Sequence, residues 1–499
     1  MVARILAAAP IGFDGAIIEV ESDAKAGLPL IQIVGMGNKS IDEARQRVRS
    51  AILNSLLDFP ARKVVINLAP AELPKDGTYL DLPIALSILV VSGQLKQTEV
   101  NDAVFAGELA LDGHIRPVRG VVNIAEIAHK HGFSTLYVPL ENVQQAQLVT
   151  GIEIIGVARL QDLYLHLKRV KRLSVSTHQT TTHTGTVSAP PLLDDIIGQA
   201  AAKRALAIAC AGHHNLLLAG PPGTGKTMLA KAIPSLLPPL TPAEQREVTK
   251  LYGLFTEIDG PIINRPFRAP HHTASAAAII GGGTRMRPGE ISLAHSGVLF
   301  LDELPEFSRS VREALRQPLE DKRVTVARTS GHVTYPANFI LVASMNPCPC
   351  GYYGDPTREC TCGMARIAAY QQRLSGPLID RIDLRVTVSR QDSSLFLAKE
   401  SLQKNQHSTV LNTIITATEH QNTRYKSSSI YNGMLSSADT KLFIPLAQPA
   451  RDLLNAASKK LQLSARSYFK IIRVARTIAD LTNETDVGPS HIAEALQFR

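Results

Sequence analysis

The most constraining stretch of the chain is the segment NLLLAGPPGTGKTMLAKAI. An apolar run from Leu216 to Ala219 enters Gly220-Pro221-Pro222-Gly223-Thr224-Gly225-Lys226-Thr227 and then a helical sequence. A strand, a glycine loop of spacing G-x-x-x-x-G-K-[ST] and a helix, in that order, demand an α/β fold with the loop at a strand end. The glycines let backbone N–H groups curl around phosphates, and the helix N-terminus adds positive potential. Lys226 is placed to reach the β- and γ-phosphates and Thr227 to ligate Mg²⁺, so ATP and Mg²⁺ are the expected ligands.

Three further segments fit that chemistry. GVLFLDEL predicts a buried strand ending in Asp302, a Mg²⁺ ligand, and Glu303, which would polarise the attacking water. FILVASMN ends in Asn346, a polar group where a water or γ-phosphate contact is needed. LSGPLIDRIDLRV carries Arg381, whose rigid guanidinium fork could neutralise phosphoryl charge if a neighbouring subunit delivers it.

The rest of the sequence limits the setting. With 499 residues, 44% hydrophobic and 19% charged, the composition is that of two or three globular domains. No run of 18 apolar residues occurs, and Pro10, Asp14 and Glu19 interrupt the N-terminal apolar stretch, which reads as the first strand of a cytoplasmic protein with no membrane partner. The net charge of +9 is unevenly placed: residues 1–170 carry −2 and residues 171–499 carry +11, which puts any polyanion contact in the second part.

Residues 1–168 alternate strand-like and helical stretches. Residues 169–193, rich in Ser, Thr and Pro, read as a linker in which His178 and His183 are given no role. Residues 194–388 read as the phosphate-binding core and 389–499 as a helical region. Cys348, Cys350, Cys360 and Cys362 form two C-x-C pairs that can close a tetrahedral structural Zn²⁺ site; free thiols, an iron–sulfur cluster and redox chemistry stay open as rivals. The fifth cysteine, Cys210, reads as a small buried hydrophobe.

The stretches DIIGQAAAKRALAIACAGHHNLLLAGPPGTGKTMLA, RPFRAPHHTASAAAIIGGG, PGEISLAHSGVLFLDELPEF, NPCPCGYYGD and SARSYFKIIRVARTIADL resemble the AAA+ ATPases and, within them, the magnesium-chelatase-like ComM/YifB family. The resemblance implies a hexameric ring with active sites between subunits and Arg381 acting in trans. It implies that Arg466 is the second sensor arginine, with Arg473 and Arg476 as alternatives on the same helix. It implies two insertions near the ring pore. The first carries Arg285 and Arg287, and the second is a hairpin about Ser330-Gly331 with Lys322, Arg323, Arg328 and His332 facing DNA. From position alone, the cysteine cluster, which contains Arg358 and is followed by Arg366, is a candidate for a small finger that also touches DNA. The activity implied is ATP-driven branch migration on single-stranded and branched duplex DNA during homologous recombination of incoming DNA in natural transformation. The alternatives are a magnesium-chelatase-like protein remodeller and an ATP-dependent Lon-like protease.

The third reading arises because GLPLIQIVGMGNKSIDEARQRVRSAI, INLAPAELPKDGTYLDLPIALSIL and GELALDGHIRPVRGVV resemble the proteolytic domain of Lon proteases, an α+β fold shared with ribosomal-protein-like domains. Pro74-Lys75-Asp76-Gly77 is kept, but Tyr79 stands where the serine nucleophile is expected and Val122 where the lysine base is expected. Thr78 is a substitute nucleophile and Lys75 a nearby amine, but without a partnered base the domain is expected to be non-proteolytic.

Overall fold

The computed structural model describes residues 2–34, 39–72, 77–174, 191–283, 286–328, 331–391 and 405–499. Pro74, Lys75, Asp76, His178, His183, Arg285, Ser330 and most of the linker therefore lie outside the described residues, as do the side chains of residues 39–42, 328 and 331. Two compact units emerge, Met1–Gly185 with Pro242–Ile263, and Thr186–Thr241 with Asn264–Arg499.

The first unit is built on a seven-stranded sheet of β1 (Val2–Ile11), β2 (Asp14–Lys25), β3 (Leu30–Val34), β4 (Lys63–Ala69), β5 (Ala103–Phe105), β6 (Thr135–Pro139) and β7 (Glu153–Val157), in the order β3-β4-β2-β1-β5-β6-β7. β1, β2 and β4 pair antiparallel, and β5, β6 and β7 extend the sheet in parallel with β1. Helices α1 (Lys39–Asn54), α2 (Asp81–Val91) and α3 (Val121–Lys130) accompany it. α2 reads DLPIALSILVV and is buried from Asp81 to Val90, as expected of a helix apolar all round.

Expected within the second unit, Pro242–Ile263 packs instead with the first. Its helix Pro242–Gly253 sets Lys250 Nζ 2.6 Å from Glu126 of α3, and the Gly120 amide donates to the Gly253 carbonyl at 2.8 Å. Local sequence could not announce this, because the contacts that capture the segment lie more than a hundred residues away.

The second unit is α/β. β8 (Leu216–Ala219), β9 (Phe267–Arg268), β10 (Val298–Leu301), β13 (Ile340–Met345) and β14 (Leu384–Thr387) form a parallel sheet in the order β9-β10-β13-β8-β14. Between β10 and β13 the chain makes an antiparallel hairpin of β11 (Arg323–Arg328) and β12 (Gly331–Pro336), with Val326 opposite Val333. Helices α4 (Ala200–Gly212) and α5 (Lys226–Leu236) flank the sheet, and the C-terminal region is helical, including α6 (Gln406–Tyr425) and α7 (Ala465–Leu481). The second core unites both parts, with Leu216, Leu218, Val342, Ile471, Ala475 and Ile478 in one apolar cluster. Among the described residues no helix is long and apolar enough to cross a membrane.

Candidate active site

The phosphate loop joins β8 to α5 at the C-terminal end of the parallel sheet. Gly225 ends it at φ +87°, a left-handed conformation that costs a side-chain-bearing residue but not glycine, and this turn aims the first amides of α5 into the loop. Lys226 is 8% exposed, and its ammonium donates to the carbonyls of Gly220 (2.7 Å) and Pro221 (2.8 Å) and to Asn346 Oδ1 (3.2 Å). Burial lowers its pKa, while Asp302 and Glu303 oppose that shift. Thr227 Oγ1 donates to Asp302 Oδ2 at 3.0 Å, so the two expected Mg²⁺ ligands already face each other. Pro222, Gly223 and Thr227 are exposed, which leaves the loop approachable.

Asp302 and Glu303 directly follow β10, beside β13, the strand that Asn346 directly follows. The sequence reading missed Ser344, a buried hydroxyl in an otherwise apolar strand. Its Oγ donates to Asp302 Oδ1 and accepts from the Glu303 amide at 2.9 Å, fixing both acids. Glu303 adopts φ +54°, and its carboxylate lies 3.9 Å from His272 Nδ1, a residue delivered by the loop after β9. Gln199, also missed, braces the loop: its Nε2 donates to the carbonyls of Thr224 (3.3 Å) and Ser389 (2.7 Å).

The arginines lie elsewhere. The Arg381 carbonyl accepts from Asn215 Nδ2 at 2.8 Å, and Asn215 immediately precedes β8. Arg381 is thus at the start of β8 while the phosphate loop is at its end, about 16 Å away at roughly 3.3 Å per residue. Its guanidinium bonds Glu320 and the Pro377 carbonyl. Arg466, at the start of α7, lies 3.6 Å from the same Glu320. Glu320 therefore gathers the two arginines on one face, which no local motif signalled.

The two alternatives to Arg466 are committed within the helical region. Arg473 donates to the Leu435 carbonyl at 2.7 Å, and Arg476, 4% exposed, holds Asp480 at 2.9 Å and the Thr485 carbonyl at 2.6 Å.

The four cysteine sulfurs lie within 4.8 Å of one another, with Cys348 3.3 Å from Cys350 and 3.6 Å from Cys360. Sulfurs about 2.3 Å from a tetrahedral zinc stand about 3.8 Å apart, so the donor set and its spacing fit that ion. Arg358 does not reach out from this loop: it lies 4.1 Å over the Tyr352 ring and donates to the Tyr352 hydroxyl at 2.8 Å.

Of the expected DNA contacts, Arg287, Arg323 and His332 are exposed. Lys322 is different: it sits below the hairpin, half-buried, its pKa lowered by burial and opposed by Asp383.

A phosphate loop on a parallel sheet, two acids and a polar strand end beside it, and a helical lid define an AAA+ ATPase. Family models confirm this and narrow it: magnesium chelatase, subunit ChlI, matches residues 192–395; subunit ChlI of Mg-chelatase matches 20–142; and its C-terminal model matches 404–499. The competence protein ComM of Haemophilus influenzae is 40% identical over 507 residues, covering 100% of this chain and 97% of the relative. The protein YifB of Escherichia coli is 40% identical over 493 residues, 98% and 96% of the two chains. A magnesium-chelatase 67 kDa subunit of Heliobacterium mobile is 30% identical over 183 residues, 30% of this chain and 27% of that one. The chain belongs to the ComM/YifB family of magnesium-chelatase-like AAA+ proteins.

Proposed function

We propose that this ATPase is a cytoplasmic DNA motor, a homo-hexameric ring that drives branch migration during recombination of incoming DNA in natural transformation. The observation that carries the shared-site part of this reading is the position of Arg381 at the far end of β8 from its own phosphate loop. A guanidinium there is of no use to the γ-phosphate of its own subunit, but it can serve that of a neighbour. Because Arg466 shares Glu320 with it, both arginines would be presented to the same neighbouring nucleotide.

Within each site Lys226 would exchange its loop carbonyls for phosphate oxygens, while Thr227 and Asp302 hold Mg²⁺, which supplies charge neutralisation at the β- and γ-oxygens. Glu303 orients and deprotonates the attacking water, and Asn346 fixes its line of approach. Structural zinc would be held by Cys348, Cys350, Cys360 and Cys362. DNA would be gripped by Arg287, Arg323 and His332, joined by Arg285 and Arg328 from the same two insertions. The similarity to a competence protein over the full chain and the +11 charge of residues 171–499 both favour DNA over a protein substrate.

The test is ATP-dependent migration of a synthetic four-way junction by the purified full-length protein beside Lys226→Ala. Migration by wild type alone is expected. ATP hydrolysis indifferent to DNA, with no junction movement, would select the protein-remodelling alternative.

A further inference from the structure

The cysteine knuckle starts two residues after Asn346, whose side chain holds Lys226, and its backbone runs back over the phosphate loop. Gly351 is buried at φ +87°, and a Cβ there would stand 2.7 Å from Pro222 Cδ and 3.1 Å from its Cγ. Only glycine lets this backbone lie flush on the Pro222 ring. A second strap ties the knuckle to the segment that follows β14. Asp355 pairs with Arg390 at 3.2 Å, Arg390 Nη1 donates to Thr357 Oγ1 at 3.0 Å, and the Arg390 guanidinium lies 5.7 Å over the Tyr352 ring. Arg390 directly follows Ser389, whose carbonyl is held by the same Gln199 amide that holds Thr224 of the phosphate loop.

Residues 348–362 contain no helix or strand and little apolar side chain, so their shape depends on what the four sulfurs bind. Most of their side chains are exposed, and the contact they make with the phosphate loop is that of the buried Gly351 on Pro222. We propose that the metal ion of the tetracysteine knuckle is a brace for nucleotide binding: the ion presses Gly351 onto Pro222, and its loss frees the phosphate loop and lowers nucleotide affinity.

This inference rests on the zinc reading above, and the experiment separates the two. Full-length protein is assayed for bound metal, then for affinity toward a fluorescent ATP analogue and for amide exchange over residues 219–226. Each is measured as purified, after chelation, and after Zn²⁺ is restored. Expected are one zinc per chain, a tenfold or larger rise in Kd with faster exchange after chelation, and recovery of both on adding Zn²⁺, with helix content constant throughout. Arg390→Met keeps the sulfurs and cuts the second strap, so it should retain metal and still raise Kd several-fold. Protein that never carries metal would sink the zinc reading together with the brace. Metal that can be removed without changing Kd or exchange would overturn the brace and leave the zinc site standing; loss of DNA binding alone would then mark the knuckle as a DNA contact.

Discussion

Both units run a glycine-containing loop into a helix N-terminus, and the two junctions have opposite fates. At the start of α2, Tyr79, Leu80 and Asp81 are 5%, 1% and 1% exposed, and Asp81 is consumed by Arg47 Nε at 2.7 Å and Nη2 at 3.1 Å and by the Leu109 amide at 3.3 Å. Val122, where a lysine base was expected, is 2% exposed in the packed start of α3. At the start of α5, by contrast, Lys226 and Thr227 bond carbonyls and a carboxylate that phosphate and Mg²⁺ can replace. A helix N-terminus becomes a reaction site only where its polar partners are exchangeable; where they are internal and buried, the same geometry becomes core.

The sharpest way to break this contrast is to remove groups from the exchangeable side. Arg381→Ala should lower ATP turnover by about 10³-fold, the scale of a guanidinium acting on a transferring phosphoryl group. Mixing Arg381→Ala with Lys226→Ala subunits should restore part of the turnover, because an Arg381-bearing subunit then meets an intact phosphate loop. Two inactive variants that stay inactive when mixed would show that sites are not shared. Next in size, Glu303→Gln should cost about 10²- to 10³-fold in turnover while nucleotide still binds. Equal loss of nucleotide affinity would instead mark Glu303 as a binding group.

On the buried side the same kind of substitution should cost folding. Arg47→Met strands the Asp81 carboxylate without its cation, a loss of about 3–5 kcal/mol. Burial already pushes the Asp81 carboxyl up to about 6 from its ordinary 3.8, outweighing Arg47. A folded-state pKa above the unfolded one means that folding favours the protonated acid. That increment is complete below pH 4 and is lost as pH rises through 6. Without Arg47 the pKa rises further, so urea unfolding should show the variant's deficit to be larger at pH 8 than at pH 5. A deficit independent of pH would mean that packing, not charge, links the pair.

What could be read from sequence follows the range of the determining contacts. The strand, loop and helix at 216–236 and the paired strands β11 and β12 are set by neighbours close in sequence, and their spacing is visible in the letters. Ser344 was visible only as a hydroxyl out of place among apolar residues, and Glu320 not at all, since its meaning comes from Arg381 and Arg466 converging on it from 61 and 146 positions away. Arg473 and Arg476 share α7 with Arg466 and look equivalent as letters; partners on other segments commit them to the lid interior.

The smallest expected effect separates two adjacent cations that sequence treats alike. Lys322 and Arg323 open the second hairpin, but Lys322 is half-buried near Asp383, whereas Arg323 is exposed on β11. An exposed arginine on a phosphate releases a counterion, so Arg323→Ala should weaken DNA binding a few-fold at moderate salt and reduce the slope of log affinity against log salt by about one. Lys322→Met should leave that slope unchanged and show itself in thermal unfolding, since its charge faces protein rather than solvent. The slope discriminates where affinity alone does not: a lost phosphate contact flattens it by about one, whereas a loss of stability that leaves the bound contacts in place lowers affinity at every salt concentration and leaves the slope as it was. If Lys322→Met flattens the slope and Arg323→Ala does not, the hairpin grips DNA through its base and the exposed face of β11 is solvent.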